Sequence, residues 1–347
     1  MQVAQLAKAG ILTIVLVTST LVCWELHLRN KGLKVDYDDG ESLWSNTRAM
    51  VYGPVDKTTI FIGSSRIKYD LDIETWKGIT NDTPIQLAIE GNSPVPVLED
   101  LGNDKNFKGK LVVDVTEGLF FSNSPFDVSE PKSRIAYYKK ITPAQKASFV
   151  INHALESQFV FLDKANFSLA SLLDELPIKK RKGVFSLPWN FPLEFGRVTF
   201  ERQDIMMNKF LTDTSLQNKV KGLWDFFRRV GEEPPPTGKK LDSMFISVKA
   251  SCDKIKARGG QVLFVRTPSS GTYLAAENKG FPRTKYWDEL LRFTNCPGIH
   301  FADYPVIDHF QCPEYSHLSQ ADAITFTKEF IRILQEDKGW KFPYKVR

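Results

Sequence analysis

A glycine and two serines, Gly63-Ser64-Ser65, close the apolar β-type run Thr58-Thr59-Ile60-Phe61-Ile62. The first turn after a strand is where open α/β sheets collect ligands, at the carboxyl ends of their strands. A serine hydroxyl placed there becomes a nucleophile when an imidazole takes its proton and a third group holds that imidazole in one tautomer. Near the other end of the chain, Pro313-Glu314-Tyr315-Ser316-His317-Leu318-Ser319 offers both groups. Glu314 stands three residues ahead of His317, a spacing that lets a carboxylate fold back onto the ring from a turn. Asp308 is the reserve orienter. His27, His153, His300 and His309 have no such context and are expected to be structural.

Chemistry at an ester carbonyl also needs donors aimed at the oxyanion, where one lost donor costs about 2.7–4 kcal/mol. The backbone amides of Ser65 and Gly91 are the candidates, because Gly91 ends the second strand, begun by Ile85-Gln86-Leu87-Ala88, and tolerates a positive φ. Three arginines fall at suggestive places: Arg66 beside the serines, Arg266 at the end of a strand, and Arg283 in the Phe281-Pro282-Arg283 turn. A guanidinium fork there can hold a carboxylate or an anionic sugar as substrate, or make ordinary ion pairs. No cofactor or metal is expected. The four cysteines lack paired spacing, there is no His-x-x-x-His, and no Gly-rich phosphate loop or dinucleotide fingerprint follows a strand.

The elements that must position these residues read as α/β. Strands are expected at about 58–62, 85–88, 110–116, 261–266 and 298–303, separated by helical stretches, which argues for a parallel sheet. The serines after the first strand and His317 after the fifth can converge on one edge of a three-layer α/β/α sandwich with a five-stranded parallel sheet. Between about 120 and 240 the pattern turns mainly helical and reads as an insertion or cap. Its aromatic and proline-rich stretch at 189–195 is either a lid or a packed irregular loop.

The strand ending in Gly-x-Ser and the acid three residues before His317-Leu318-Ser319 resemble the SGNH (GDSL-like) hydrolases and acyltransferases, over roughly residues 55–125 and 240–335. The resemblance implies a flavodoxin-like sandwich, Ser65 as nucleophile and His317 as base. Glu314 stands where the family's usual aspartate would be, and Ser64 where the eponymous motif has Asp. The family's asparagine after the third strand is absent from Asp114-Val115-Thr116-Glu117-Gly118, which leaves Asn92 as its substitute or a hole of two donors. The Gly-Ser-Ser variant is similar to that of membrane-anchored members that move acyl groups on or off envelope polysaccharides. The function so implied is an acyl-ester hydrolase or O-acyltransferase working through an acyl-serine on an acylated polysaccharide or other acyl ester, with a membrane-bound acyl-donor protein as a partner. The alternative is a non-catalytic module of the same fold that binds glycan or scaffolds a membrane assembly.

At 347 residues and 42% apolar content the chain can bury a full core. A net charge of +5 from 46 basic and 41 acidic residues gives no nucleic-acid footprint, and the basic run at 179–182 reads as a solvated loop. From Ala9 to Trp24 no residue is charged, just short of the about 17–25 residues of a membrane span. Lacking a small-x-small cleavage site, the run reads as an uncleaved anchor over 1–28, with Trp24 at the interface, then a tether over 29–54 and the folded domain over 55–347. Arg29, Lys31 and Lys34 after the span argue for a cytoplasmic domain, whereas the resemblance implies export, and the expectation is a single-pass protein with its domain periplasmic or extracellular. In such a compartment Cys296 and Cys312, flanking the fifth strand, are either a disulfide or two part-buried thiols.

Overall fold

A computed structural model describes residues 2–174, 176, 187–231 and 234–343. The basic run at 179–182 lies outside them. The described residues form two compact units, one from 1–38 with 143–184 and the other from 39–142 with 185–347.

The larger unit is built on five parallel strands: β1 (Thr58–Ile62), β2 (Thr83–Gln86), β3 (Lys110–Asp114), β4 (Gln261–Arg266) and β5 (Gly298–His300), in the order β2-β1-β3-β4-β5. Their residues alternate between two apolar cores. Ile60, Ile62, Leu111, Val113, Val262 and Phe264 point to one face, where the Val95–Asn103, Lys239–Ala257 and Trp287–Thr294 helices pack. Phe61, Val112, Leu263, Val265 and Ile299 point to the other, against the Ser65–Asp70, Ile73–Thr80 and Gln320–Glu336 helices. Both faces are covered, which is why the strands read as unbroken apolar runs instead of alternating ones. Each such side chain, fully buried, stabilises the fold by about 1.5–3 kcal/mol. Local signals set the helix ends: Asp72 accepts from Thr75 N at 2.8 Å, and Ser319 accepts from Asp322 N at 3.2 Å to start the last helix.

Several boundaries differ from the sequence reading, among them the end of β3, which stops at Asp114. β2 begins two residues early, and β5 stops at His300, where the ring nitrogen Nδ1 accepts from Ala302 N and turns the chain into a 3-10 turn. More than half of the expected tether, from Asp39 onward, is part of the larger unit. Residues Glu41–Ala49 are helical, with Trp44 fully buried and its indole N–H donated to Leu87 O at 3.0 Å, while Arg48 reaches Asp100 and Asp104 at 2.9 and 2.8 Å. The expected insertion is also divided, 143–184 belonging to the smaller unit and 120–142 and 185–240 to the larger.

All four cysteines are free thiols. Cys296 belongs to one core and Cys312 to the other, so the sheet separates the two that were considered for a disulfide. The neighbour of Cys296 is Cys252; the hydrogen bond between the two thiols brings Cys296 down to about 7 and raises Cys252.

In the smaller unit, Gln2–Asn30 is one continuous helix, long and apolar enough to cross a membrane. Two of its hydroxyls bond within it, Thr13 on Ala9 O and Thr20 on Leu16 O, both at 2.9 Å. The end of the helix is not a free tether: Leu28 is buried, and Glu25 and Arg29 bond to residues 158–161.

Candidate active site

The turn after β1 is tightly built. A Cβ on Gly63 would lie 2.6 Å from Asp114 Cβ and 2.7 Å from Ile67 Cγ2, so only glycine lets β1 pass β3 here. The two serines then diverge. Ser64 is buried and donates to Thr116 Oγ1 at 2.9 Å, which in turn donates to Asp114 Oδ2 at 3.2 Å. Ser65, first residue of its helix, is the partly exposed one, and its Oγ lies 2.8 Å from His317 Nε2. Burial pushes the Asp114 carboxyl up to about 6.

On the far side of the ring, His317 Nδ1 is 2.9 Å from Glu314 Oε1. That oxygen also accepts from His317 N at 2.7 Å and Ser316 N at 3.3 Å. A carboxylate accepts only, so Nδ1 carries the proton and Nε2 presents a lone pair to the Ser65 hydroxyl. The fold-back is made by Tyr315 at φ 81°, a left-handed conformation that is costly for a large side chain and is held by Ser270 N on Tyr315 O at 2.9 Å. Glutamate's extra methylene is accommodated by a fourth donor: the indole N–H of Trp224, from the Thr214–Val230 helix, is hydrogen-bonded to Glu314 Oε2. Asp308 is exposed, and Glu314 holds the place at Nδ1.

The Ser65–Asp70 helix grips the histidine loop on both sides of His317. Arg66 Nε donates to Ser316 Oγ at 3.2 Å, and Asp70 Oδ1 accepts from Leu318 N at 2.9 Å. Burial pushes the Asp70 carboxyl well above the usual carboxylate range. Aromatic rings surround the imidazole: Tyr69 at 4.6 Å between centroids, Phe195 at 5.8 Å and Trp224 at 5.9 Å. The 189–195 stretch is therefore packed against the site, with Phe191 stacked on Phe195 at 5.6 Å and Trp189 and Phe191 still partly exposed.

The arginines are placed differently from one another. Arg66 and Arg266 are 1% exposed and share the two oxygens of Glu277, and Arg266 also holds Glu117 at 3.1 Å. Both are committed to carboxylates of the chain, Arg66 acting as a brace of the histidine loop. Arg283 is exposed and pairs with Asp303 at 2.5 Å and Asp288 at 3.2 Å. Gly91 has φ 62°, as its position requires, and is exposed. Asn92 turns back on its own loop, its backbone N–H on Ile89 O at 3.3 Å and its side-chain amide on Glu90 O at 2.7 Å. The loop starts beside the Gly63-Ser64-Ser65 turn, where Ile89 N donates to Gly63 O at 3.2 Å.

Sequence reasoning missed Trp224, Asp70, Tyr69 and one buried cation. Lys68, three residues past Ser65 and fully buried, meets Asp39 at 2.8 Å, Asp204 at 3.0 Å and Glu90. Arg202 joins the cluster through Asp39 and caps the end of β2 on Gln86 O and Ala88 O at 2.6 and 2.9 Å. Burial alone would raise the Asp39 carboxyl, but Arg202 and Lys68 outweigh it and hold it below the usual range. Lys68→Met is expected to cost about 3–5 kcal/mol, because it removes the cation of buried Asp204 and one of those on Asp39. Urea unfolding of the detergent-solubilised chain measures this; a loss under about 1 kcal/mol, the worth of an exposed pair, would show the cluster to be solvated.

No family model and no curated protein matches the chain.

Proposed function

We propose that the chain is a membrane-anchored serine esterase or O-acyltransferase of SGNH-like type. The observation that carries this reading is the continuous hydrogen-bonded line from Ser65 Oγ through the His317 ring to Glu314, with each atom in the state the next one requires. Ser65 attacks the ester carbonyl while His317 Nε2 takes its proton, and Glu314 stabilises the imidazolium that forms. The amides of Ser65 and Gly91 are the candidate oxyanion donors. His317 then protonates the leaving alcohol, and the acyl-serine is resolved by water or by a sugar hydroxyl. Tyr69, Phe195 and Trp224 give the site apolar and aromatic walls suited to an acyl group or the face of a sugar ring. The Gln2–Asn30 helix anchors the protein, which suits an envelope polysaccharide as acceptor and a membrane-bound protein as acyl donor.

A fluorophosphonate probe tests the reading. The full chain should be labelled once, with the added mass on the peptide containing Ser65. No labelling, or labelling that survives heat denaturation, would favour a non-catalytic glycan-binding module.

Trp224→Phe tests the cap's part in the chemistry. It keeps a ring beside His317 but removes the N–H on Glu314 Oε2. Hydrogen bonds to charged groups are worth about 1.5–3 kcal/mol, so kcat should fall about ten- to a hundred-fold with KM little changed. A rise in KM at constant kcat would instead make Trp224 a substrate contact.

A further inference from the structure

The smaller unit carries two apolar stripes that pack against nothing described. In the Pro143–Glu156 helix, Ala147, Val150, Ile151, Ala154 and Leu155 recur at helical spacing, and Val150, Ile151 and Leu155 are 64%, 61% and 46% exposed. The other face of that helix is turned inward, with His153 stacked on Phe149 and against Tyr37 at 5.6 Å. In the Leu169–Asp174 helix and at Leu176 beyond it, Leu169, Leu172, Leu173 and Leu176 repeat the pattern and are 44–73% exposed. A helix of a soluble protein turns such a stripe to its core.

The contacts of this segment identify what the stripes face. Glu25 Oε1 and Oε2 accept from Val160 N and Phe161 N at 3.0 and 3.1 Å, Arg29 Nη2 donates to Gln158 O at 2.7 Å, and the Trp24 and Phe167 rings meet edge to face at 6.4 Å. The segment between the two stripes is thus pinned to the last turns of the apolar helix. Glu25 is one residue, about 1.5 Å of helix rise, past Trp24, the residue expected at the membrane surface.

We infer that residues 143–174 with Leu176 form a collar that lies in the interfacial layer of the lipid bilayer, around the point where the Gln2–Asn30 helix leaves it. The inference rests on the reading of that helix as a membrane span. Apolar faces held at the depth of an interfacial tryptophan are covered by acyl chains, and their polar faces meet the headgroups, as in amphipathic helices that lie in the membrane plane. The collar then holds the chain at the surface through more than a single pivoting helix.

The test uses the full chain with Cys23→Ser, so that the remaining cysteines are buried, reconstituted in phosphatidylcholine and phosphatidylglycerol vesicles. An environment-sensitive fluorophore is attached to a cysteine introduced at Ile151, Leu172, Asn152 or Leu16. Asn152 is exposed away from the stripe, and Leu16 lies within the apolar helix. At Ile151 and Leu172, a nitroxide lipid labelled near the headgroup should quench about twofold more strongly than at Asn152, and iodide correspondingly less. Leu16 should respond most to a nitroxide near the acyl-chain end. Iodide quenching at Ile151 and Leu172 equal to that at Asn152, with Leu16 still deep, overturns the collar and leaves the span intact. Protection from both iodide and nitroxide overturns it in favour of a second copy or another protein covering the stripes. Exposure of Leu16 itself overturns the span, and the collar with it.

Discussion

Ser65→Ala is expected to lower p-nitrophenyl acetate turnover by about three orders of magnitude or more, and to abolish fluorophosphonate labelling, while the fold is retained. The loss is large because the serine is the end of a line and not one of several parallel contributors: without Oγ no acyl-enzyme forms, and His317 has only water to activate. The neighbouring serine is the internal control. Ser64→Ala removes a buried hydroxyl that serves the Thr116 and Asp114 chain, so it should cost about 1 kcal/mol of stability and leave turnover within about tenfold. Equal rates for Ser65→Ala and the wild type would end the catalytic reading. An inactive Ser64→Ala beside an active Ser65→Ala would exchange the two roles.

The parts of this site that were legible in the sequence are those whose chemistry and backbone signal coincide. Gly63 and Ser65 sit at a strand end that an apolar run announces, and Glu314 and His317 are close enough in sequence to share one turn. The choice between Ser64 and Ser65 was not legible from the residues themselves, because both follow the same glycine; in the fold Thr116 takes the Ser64 hydroxyl and His317 faces that of Ser65, which favours Ser65 in the proposed role. For Arg66 and Arg266 the ion-pair alternative is the one observed, but the shared partner could not be read, since Glu277 is more than two hundred positions from Arg66. Lys68 and Trp224 were hidden for the same reason. A lysine in a helix and a tryptophan on an amphipathic one carry ordinary readings, and only the tertiary arrangement brings the first among three carboxylates and the second to Glu314. The apolar N-terminal run was plain, but its coupling to residues 158–161 runs through backbone groups that leave no mark on composition.

That coupling and the Trp224 contact show one tendency of the chain. The helical material between β3 and β4 is not spare length on the sandwich. One part joins the apolar N-terminal helix, and the other, through Phe195 and Trp224, closes on the imidazole. The cap therefore belongs to the chemistry of the proposed reaction, and substitutions in it should change rate as well as affinity.

Glu314→Gln should lower kcat by about four orders of magnitude, the scale on which a triad falls when its acid is replaced by an isosteric amide. The cause is specific to the donors around this residue. Oε1 accepts from His317 Nδ1, His317 N and Ser316 N, and Oε2 from the Trp224 indole. A glutamine presents one acceptor and one N–H donor group, so one side must face donor against donor. If the amide oxygen keeps the three N–H groups, the amide nitrogen meets the Trp224 N–H; if it turns over, the His317 ring changes tautomer and Nε2 no longer accepts from Ser65. In the double variant with Trp224→Phe the first orientation is freed of its clash, so the two losses should not add, and the double variant should be no worse than Glu314→Gln alone. Glu314→Asp keeps the charge but, one methylene shorter, cannot serve His317 and Trp224 together, and should retain more activity than the amide. Full additivity of the Glu314→Gln and Trp224→Phe losses would show that the indole acts on the substrate and not through the carboxylate.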